Sequence, residues 1–343
     1  MLLVRLLRQL QLYNMATVSY LPEKIALKDQ CWPEGTKPLV TTRTMTYNHS
    51  AYIETCILGI INQKTDFPVQ VLFHDDASTD GTAEVLLKYQ NKYPRLIKVF
   101  IQDFNTYRHP EKRQLRKPFF DLISGKYIAL CEGDDYWIDL NKIQKQYDGF
   151  RLNSNCHLIG SGCRIIYANG RQKNIQISSD TMVIGVDEYL LNEYFIATAT
   201  IMMSYEVALC DLEDWMYKSF AADFLYRYMA LKRGPIIILP DITAVYNKGV
   251  AGSWSSRKLT KLIIHKEYRD NLRALNYLNK HINIKVESIK YKKTKLRRSA
   301  LLKTLLMTSK FLRFFLLFRF YKLLGNRNFL YGFRSILLNK NAE

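Results

Sequence analysis

Between residues 38 and 151, short apolar or β-branched runs alternate with stretches of helical periodicity, and this alternation limits the fold more than any other property of the chain. Residues 39–46 are β-branched and strand-like. Residues 50–62 place Ile53, Ile57, Ile60 and Ile61 on one helical face behind Ser50, a helix-capping type. Strands are expected again at 69–73, 97–101 and 127–131, with helices at 83–93, 114–123 and 141–151. Strand and helix alternating at intervals of about 30 residues predict an α/β architecture, a mostly parallel central sheet covered by helices. In such sheets ligands bind beyond the carboxyl ends of the strands.

Three of those strand ends carry polar clusters. The first gives onto Thr46, Tyr47 and Asn48, the second onto Asp75 and Asp76, and the 127–131 run onto Glu132, Asp134 and Asp135, with Gly133 freeing the turn. Carboxylates crowded at the end of a buried strand repel and raise one another's pKa. A hard divalent cation removes that repulsion, and carboxylate oxygens suit Mg²⁺ or Mn²⁺. The plainer reading is an acidic turn in which Asp134 or Asp135 caps the next helix. Asp75 and Asp76 read in the same way as either a ligand pair or a strand-end turn, whereas Asp80 reads as a cap for the helix near 82.

After residue 155 the pattern loosens. Strands are expected at 158–167, 196–204, 236–239 and 242–246, and a helix at 220–232 closed by Gly234 and Pro235. Thr198, Thr200, Met202, Met203 and Asp223 would face the same site if this half folds over the sheet edge. No G-x-G-x-x-G follows the first strand, which excludes a dinucleotide-binding dehydrogenase. The six cysteines are scattered without paired spacing, a pattern of a reducing compartment without structural zinc.

The motifs in their order and strand contexts, Thr46-Tyr47-Asn48, then residues 74–82, then residues 132–137, resemble the family 2 glycosyltransferases of the GT-A fold, of the bacterial surface-polysaccharide type. The resemblance is specific over residues 38–150 and looser to 256. It implies an inverting transfer of a sugar from a nucleotide diphosphate sugar, UDP-linked by expectation, to a glycan or lipid-linked acceptor. Thr46, Tyr47 and Asn48 would then line the nucleotide pocket, Asp75 and Asp76 would hold base and ribose, and Asp134 would serve the donor diphosphate. Glu132, Asp134 and Asp135 would form the metal-binding motif for Mn²⁺ or Mg²⁺. Asp223 would be the base that takes the acceptor proton, although Ala222 departs from the residue types usual before it, and Asp214 is the fallback. Lys248 would supply phosphate charge from a loop that carries Arg or His in relatives. Arg108, Lys112, Arg113, Arg116 and Lys117 read either as phosphate-facing or as a solvated helix face. The competing reading is a catalytically inactive glycosyltransferase-like nucleotide-binding or scaffold protein.

The expected organisation is a lead-in over 1–37, a catalytic domain over 38–256 divided near 150 into nucleotide-sugar and acceptor halves, and a basic helical region over 257–343. Of the formal net charge of +19, the last region holds nearly all, with 22 Lys and Arg against 4 Asp and Glu, while the rest holds 28 against 27. Residues 1–15 form either an amphipathic arm or an upstream extension ahead of Met15, without a signal-peptide cleavage site. No run of 18 apolar residues is present for a spanning helix. Residues 290–340 alternate Lys and Arg with Leu, Phe, Ile and Tyr, a pattern suited to lying in the headgroup plane of an anionic membrane. The chain is therefore expected to be cytoplasmic and peripheral on the inner face of the cell membrane. The alternative packs this tail on the domain or against a second copy in a homo-oligomer. Nucleic acid is not an expected partner, although charge alone would allow it.

Overall fold

The computed structural model describes residues 19–107, 109, 115–192, 194–210, 216, 223–250, 253–256 and 260–306. Two small strands, β1 (Ile25–Ala26) and β3 (Lys64–Thr65), pair antiparallel at one margin. The main sheet contains β2 (Val40–Thr46), β4 (Val69–Asp75), β5 (Ile97–Ile101) and β6 (Tyr127–Leu130), in the spatial order β6-β2-β4-β5 with every neighbouring pair parallel. Helices α1 (Ile53–Ile61), α2 (Thr82–Lys92), α3 (Lys117–Asp121) and α4 (Lys142–Leu152) alternate with and follow these strands, as the hydrophobic periodicity requires. Ser50 does not cap α1, because the helix begins at Ile53. Its backbone N–H instead donates to Asp80 Oδ2 at 2.9 Å.

The second half extends the same sheet. Strand β11 (Met202–Ser204) lies antiparallel between β6 and β8 (Leu158–Tyr167), and β8 runs parallel to β12 (Ile236–Lys248). Short strands β7 (Tyr136–Trp137), β9 (Gln172–Ile175) and β10 (Met182–Ile184) pair with β12, β8 and β12 respectively. Two expectations are corrected here. The 196–204 run keeps only β11 as strand, since Thr198–Thr200 forms a 3₁₀ turn in which Thr200 Oγ1 bonds the Ala197 carbonyl at 2.7 Å. The separate strands at 236–239 and 242–246 are one strand, with the register shifting around Pro240, which has no N–H to give to the ladder.

Buried side chains form a core on each face of the sheet. One packs under α1, α2 and α4 around Ile57, Phe73 and Ile143, and the other joins Phe119, Ile128 and Met203. Met202 and Met203 are therefore wholly buried core residues on opposite faces of β11, not site residues. Helices α5 (Val186–Leu191), α6 (Asp223–Arg233), α7 (Lys261–His281) and α8 (Val286–Leu306) cover the second core and its margin. Among the described residues, no helix is long and apolar enough to cross a membrane.

Candidate active site

Strand register sets the site. Thr46, the last residue of β2, is opposite Asp75, the last of β4, so both chains leave the sheet at one level. Strand β6 ends earlier, opposite Arg43, but its continuation stays on β2: Cys131 N–H donates to the Arg43 carbonyl at 3.2 Å and Gly133 N–H to the Met45 carbonyl at 3.0 Å. The acidic segment is thus carried along β2 to the level of Thr46. A Cβ on Gly133 would lie 2.5 Å from Thr46 Oγ1 and 2.9 Å from His49 Nδ1, so this contact requires glycine.

These strand ends open into a cavity of about 1060 Å³ whose wall includes Thr46, Tyr47, Asp76, Glu132, Asp134 and Asp135. That volume is large beside ordinary small-molecule pockets, which run to roughly 1,000 Å³, and leaves room for two substrates. Asp134 and Asp135 are nearly buried, 7% and 3% exposed. Burial raises both carboxyl pKa values, and for Asp135 the neighbouring Asp134 carboxylate adds to the rise. Two adjacent acids held this way favour a cation. His49 lies on the same wall and shares the Asp134 field; burial outweighs that field and lowers the imidazole pKa.

The acidic segment is also gripped from the far half of the chain. Asn247 N–H donates to Asp135 Oδ1 at 2.9 Å, and its side-chain Nδ2 donates to the Asp134 carbonyl at 2.6 Å. The amide at the position after Tyr246 thus holds the acidic segment through two hydrogen bonds. Lys248, expected at the phosphates, is exposed and does not line the cavity; its amine sits 5.7 Å over the ring of Tyr167, its register partner on β8.

Asp75 and Asn48 are likewise placed behind the wall and not on it. Asp75 is fully buried, accepting Ser78 N–H at 2.8 Å and Ser78 Oγ–H at 2.5 Å in a strand-end turn. Asn48, at φ 54°, receives Thr79 N–H on Oδ1 at 2.8 Å and gives its own N–H to Ser78 Oγ at 2.9 Å. Both residues shape the loop that presents Tyr47 and Asp76. Asp80 accepts from Thr82 N–H at 3.1 Å at the start of α2, as a cap does. Its pKa falls to about 2, because hydrogen bonds from Thr82 and Ser50 outweigh the opposing effect of burial.

Asp76 lines the cavity with its oxygens already engaged. Thr106 Oγ1–H and N–H donate to Oδ1, Tyr107 N–H donates to Oδ2 at 2.9 Å, and Arg116 forms an ion pair with Oδ2 at 3.1 Å. Arg116 is therefore tied to Asp76 and to Thr106 Oγ1, while Lys117 pairs with Asp121 at 2.6 Å on the surface. Arg108, Lys112, Arg113 and Asp214 lie outside the described residues. Asp223 is the first residue of α6; its side chain is not described, but Phe224, Tyr226 and Arg227 from the same turn line the cavity, as does Thr198.

Sequence reasoning missed His49, Asn247 and Arg43 as wall or clamp residues. His49 adjoins the first polar cluster and carried a positional signal. Asn247 and Arg43 carried none, because their partners lie far along the chain.

Among the described residues, no three His, Cys, Asp or Glu side chains converge on one point to hold a metal. The donor set still fits Mg²⁺ or Mn²⁺ of the kind shared with a substrate, which takes one or two carboxylates and completes its shell with phosphate oxygens and water. Asp134, Asp135 and Glu132 supply hard oxygens of that kind on the cavity wall.

Comparison with known proteins follows the same outline. Residues 44–209 match the family model described as glycosyl transferase family 2. The protein Rv1520 of Mycobacterium tuberculosis is 30% identical over 217 residues, which is 62% of this chain and 60% of that protein. TuaG of Bacillus subtilis, named for teichuronic acid biosynthesis, is 27% identical over 134 residues, 39% of this chain and 50% of its own length. The chain thus spans 60% of the length of the mycobacterial relative and half that of TuaG. A mannosyltransferase of Pyrobaculum calidifontis, solved with GDP-mannose and Mn²⁺, superposes with a TM-score of 0.52 at 13% identity, covering 96% of this chain and 90% of that one. At that identity the likeness concerns the fold, and the fold is the GT-A arrangement that the motif resemblance implied.

Proposed function

We propose that this chain, whose residues 44–209 match the family model described as glycosyl transferase family 2, moves a sugar from a nucleoside diphosphate sugar to a hydroxyl of a glycan or lipid-linked acceptor, with inversion at the anomeric carbon. The observation that carries this reading is the convergence of three strand ends, bearing Thr46, Asp76 and the Glu132–Asp135 segment, on one cavity wide enough for donor and acceptor. The name of TuaG supports an acceptor in surface polysaccharide synthesis. UDP is the nucleotide proposed.

In this reading Tyr47 and Asp76 border the nucleoside. Asp134 and Asp135 face the diphosphate, and Asn247 keeps both carboxylates at one level. Mg²⁺ or Mn²⁺, when bound there, would offset the negative charge that grows on the departing nucleoside diphosphate. Asp223, at the start of α6, would accept the proton of the acceptor hydroxyl as that oxygen attacks the anomeric carbon in line. The wall of Phe224, Tyr226 and Thr198 shields the reacting carbon from water.

The test is transfer from UDP-sugars by wild type and Asp135→Ala, with and without EDTA. Loss of one electrostatic stabiliser should lower turnover by about 10²-fold or more while the fold persists. Full activity in excess EDTA would overturn the metal assignment.

A further inference from the structure

Arg43 is a strongly charged wall residue for which the reaction above has no use. It sits in the middle of β2, only 6% exposed, with its side chain forming part of the cavity wall. A guanidinium here stands among core residues of the strand. Its Nη1 donates to Tyr226 OH at 2.9 Å, and the faces of Tyr226 and Phe120 lie 5.5 and 6.0 Å from its central carbon. Nε has no hydrogen-bond partner, and among the described residues no carboxylate lies within ion-pair distance of this side chain. Burial acts against the charge, but Tyr226 and then the field of Glu132 outweigh it and raise the guanidinium pKa above its ordinary value.

A buried arginine without a counter-ion is unfavourable unless something in the working protein supplies the negative charge. Arg116, on the same wall, has Asp76 as its counter-ion. Arg43 is tied instead to Tyr226 of α6, one turn along from Asp223, which the reading above assigns to the acceptor. The aromatic faces hold the guanidinium plane fixed, and Nε–H is left as an unmatched donor of the kind that a carboxylate or phosphate takes.

We propose that Arg43 is a specificity-determining residue that binds a negatively charged group, a carboxylate or a phosphate, on the acceptor. This rests on the glycosyltransferase reading of the cavity. Acidic acceptors of either chemistry would meet the need: a uronate-bearing glycan through its carboxylate, or a polyol phosphate or lipid-linked glycan through its phosphate.

The test uses defined probes by thermal shift and calorimetry, each with and without UDP and Mn²⁺. Methyl glucuronide stands for the carboxylate source and glycerol 1-phosphate for the phosphate source, with methyl glucoside and glycerol as uncharged controls. Wild type should bind at least one anionic probe and neither neutral one, and the responding probe names the source. Arg43→Met should weaken that binding by roughly 10- to 100-fold while the response to UDP with Mn²⁺ is kept. Arg43→Met should also lose no thermal stability without ligand, because an unpaired buried charge is removed; a purely structural arginine would show a clear drop. Arg43→Gln repeats the comparison if the methionine variant does not fold. Wild type indifferent to both anions, or a response that survives loss of the arginine, overturns the proposal. A missing response to UDP, with the anion response intact, would instead count against the donor reading and leave the Arg43 site standing.

Discussion

Gly133 shows how little space separates the acidic segment from the first strand. Its α-carbon approaches Thr46 so closely that an added methyl would stand 2.5 Å from Oγ1 and 2.6 Å from Cβ of that residue. Thr46 is itself 3% exposed and bonded to His49 Nδ1 at 3.1 Å, so it has no room to yield. Gly133→Ala should therefore push the acidic segment outward and destabilise the fold by about 1–3 kcal/mol, the range for overpacking. Turnover should fall further than that figure suggests, because Asp134 and Asp135 move with the backbone. Urea unfolding alongside steady-state transfer assays measures both effects. A variant with wild-type turnover would mean that the acidic segment and Thr46 do not work in register.

At the level of strands and helices, the buried ring of His74 on β4 gives the sheet a pH dependence. It lies 5.9 Å from Phe100 in a stacked arrangement and 5.0 Å from Phe119 edge-on. Burial, followed by the Arg116 charge, lowers its pKa from 6.5 to about 4. Between those values the unfolded chain binds a proton that the native chain refuses, so stability is full above pH 6.5 and declines as pH falls toward 4. The whole span is worth roughly 3 kcal/mol. His74→Phe should flatten that part of the pH profile in urea titrations between pH 7 and 4. Most of the first-half strands and helices were legible from the sequence, because each has its own period and its own break at Gly, Asn or Asp. The three converging polar clusters were legible for the same reason, since strand ends announce themselves locally. Asn247, Arg43 and the single long β12 were not, because what decides them is contact across the sheet: Asn247 with Asp135, Arg43 with Tyr226, β12 with β8. Lys248 lies outside the cavity wall, and its place over Tyr167 is likewise set by a residue of the neighbouring strand β8.

Across the whole molecule, the basic C-terminal region divides at the end of α8. Residues 286–306 are a helix in contact with α7 and α5, with Lys303 paired to Glu267 at 2.8 Å and Ser288 buried. For this part the alternative of packing on the domain describes what is present. The Phe- and Arg-rich remainder, 307–343, lies outside the described residues, and the membrane proposal rests on its sequence. The two parts predict different truncation results. A chain ending at residue 306 should keep its melting temperature and its nucleotide binding but no longer sediment with anionic liposomes at low salt. A chain ending at residue 285 should melt several degrees lower, having lost a packed helix. Equal liposome binding by the full chain and the 306 truncation would remove the membrane role from the tail.

The Asn247 clamp also bears on how such proteins could be recombined. Exchange of the acceptor half between relatives would naturally place the crossover after the first domain half, near residue 155, where few motifs are interrupted. Asn247 lies beyond that point, yet two of its hydrogen bonds reach back to Asp134 and Asp135. A chimera that imports a different residue at 247 would inherit an intact acidic motif with its alignment undone. The portable unit is therefore the acidic segment together with the end of β12, two pieces separated by more than a hundred residues, and a second crossover after Asn247 would preserve it.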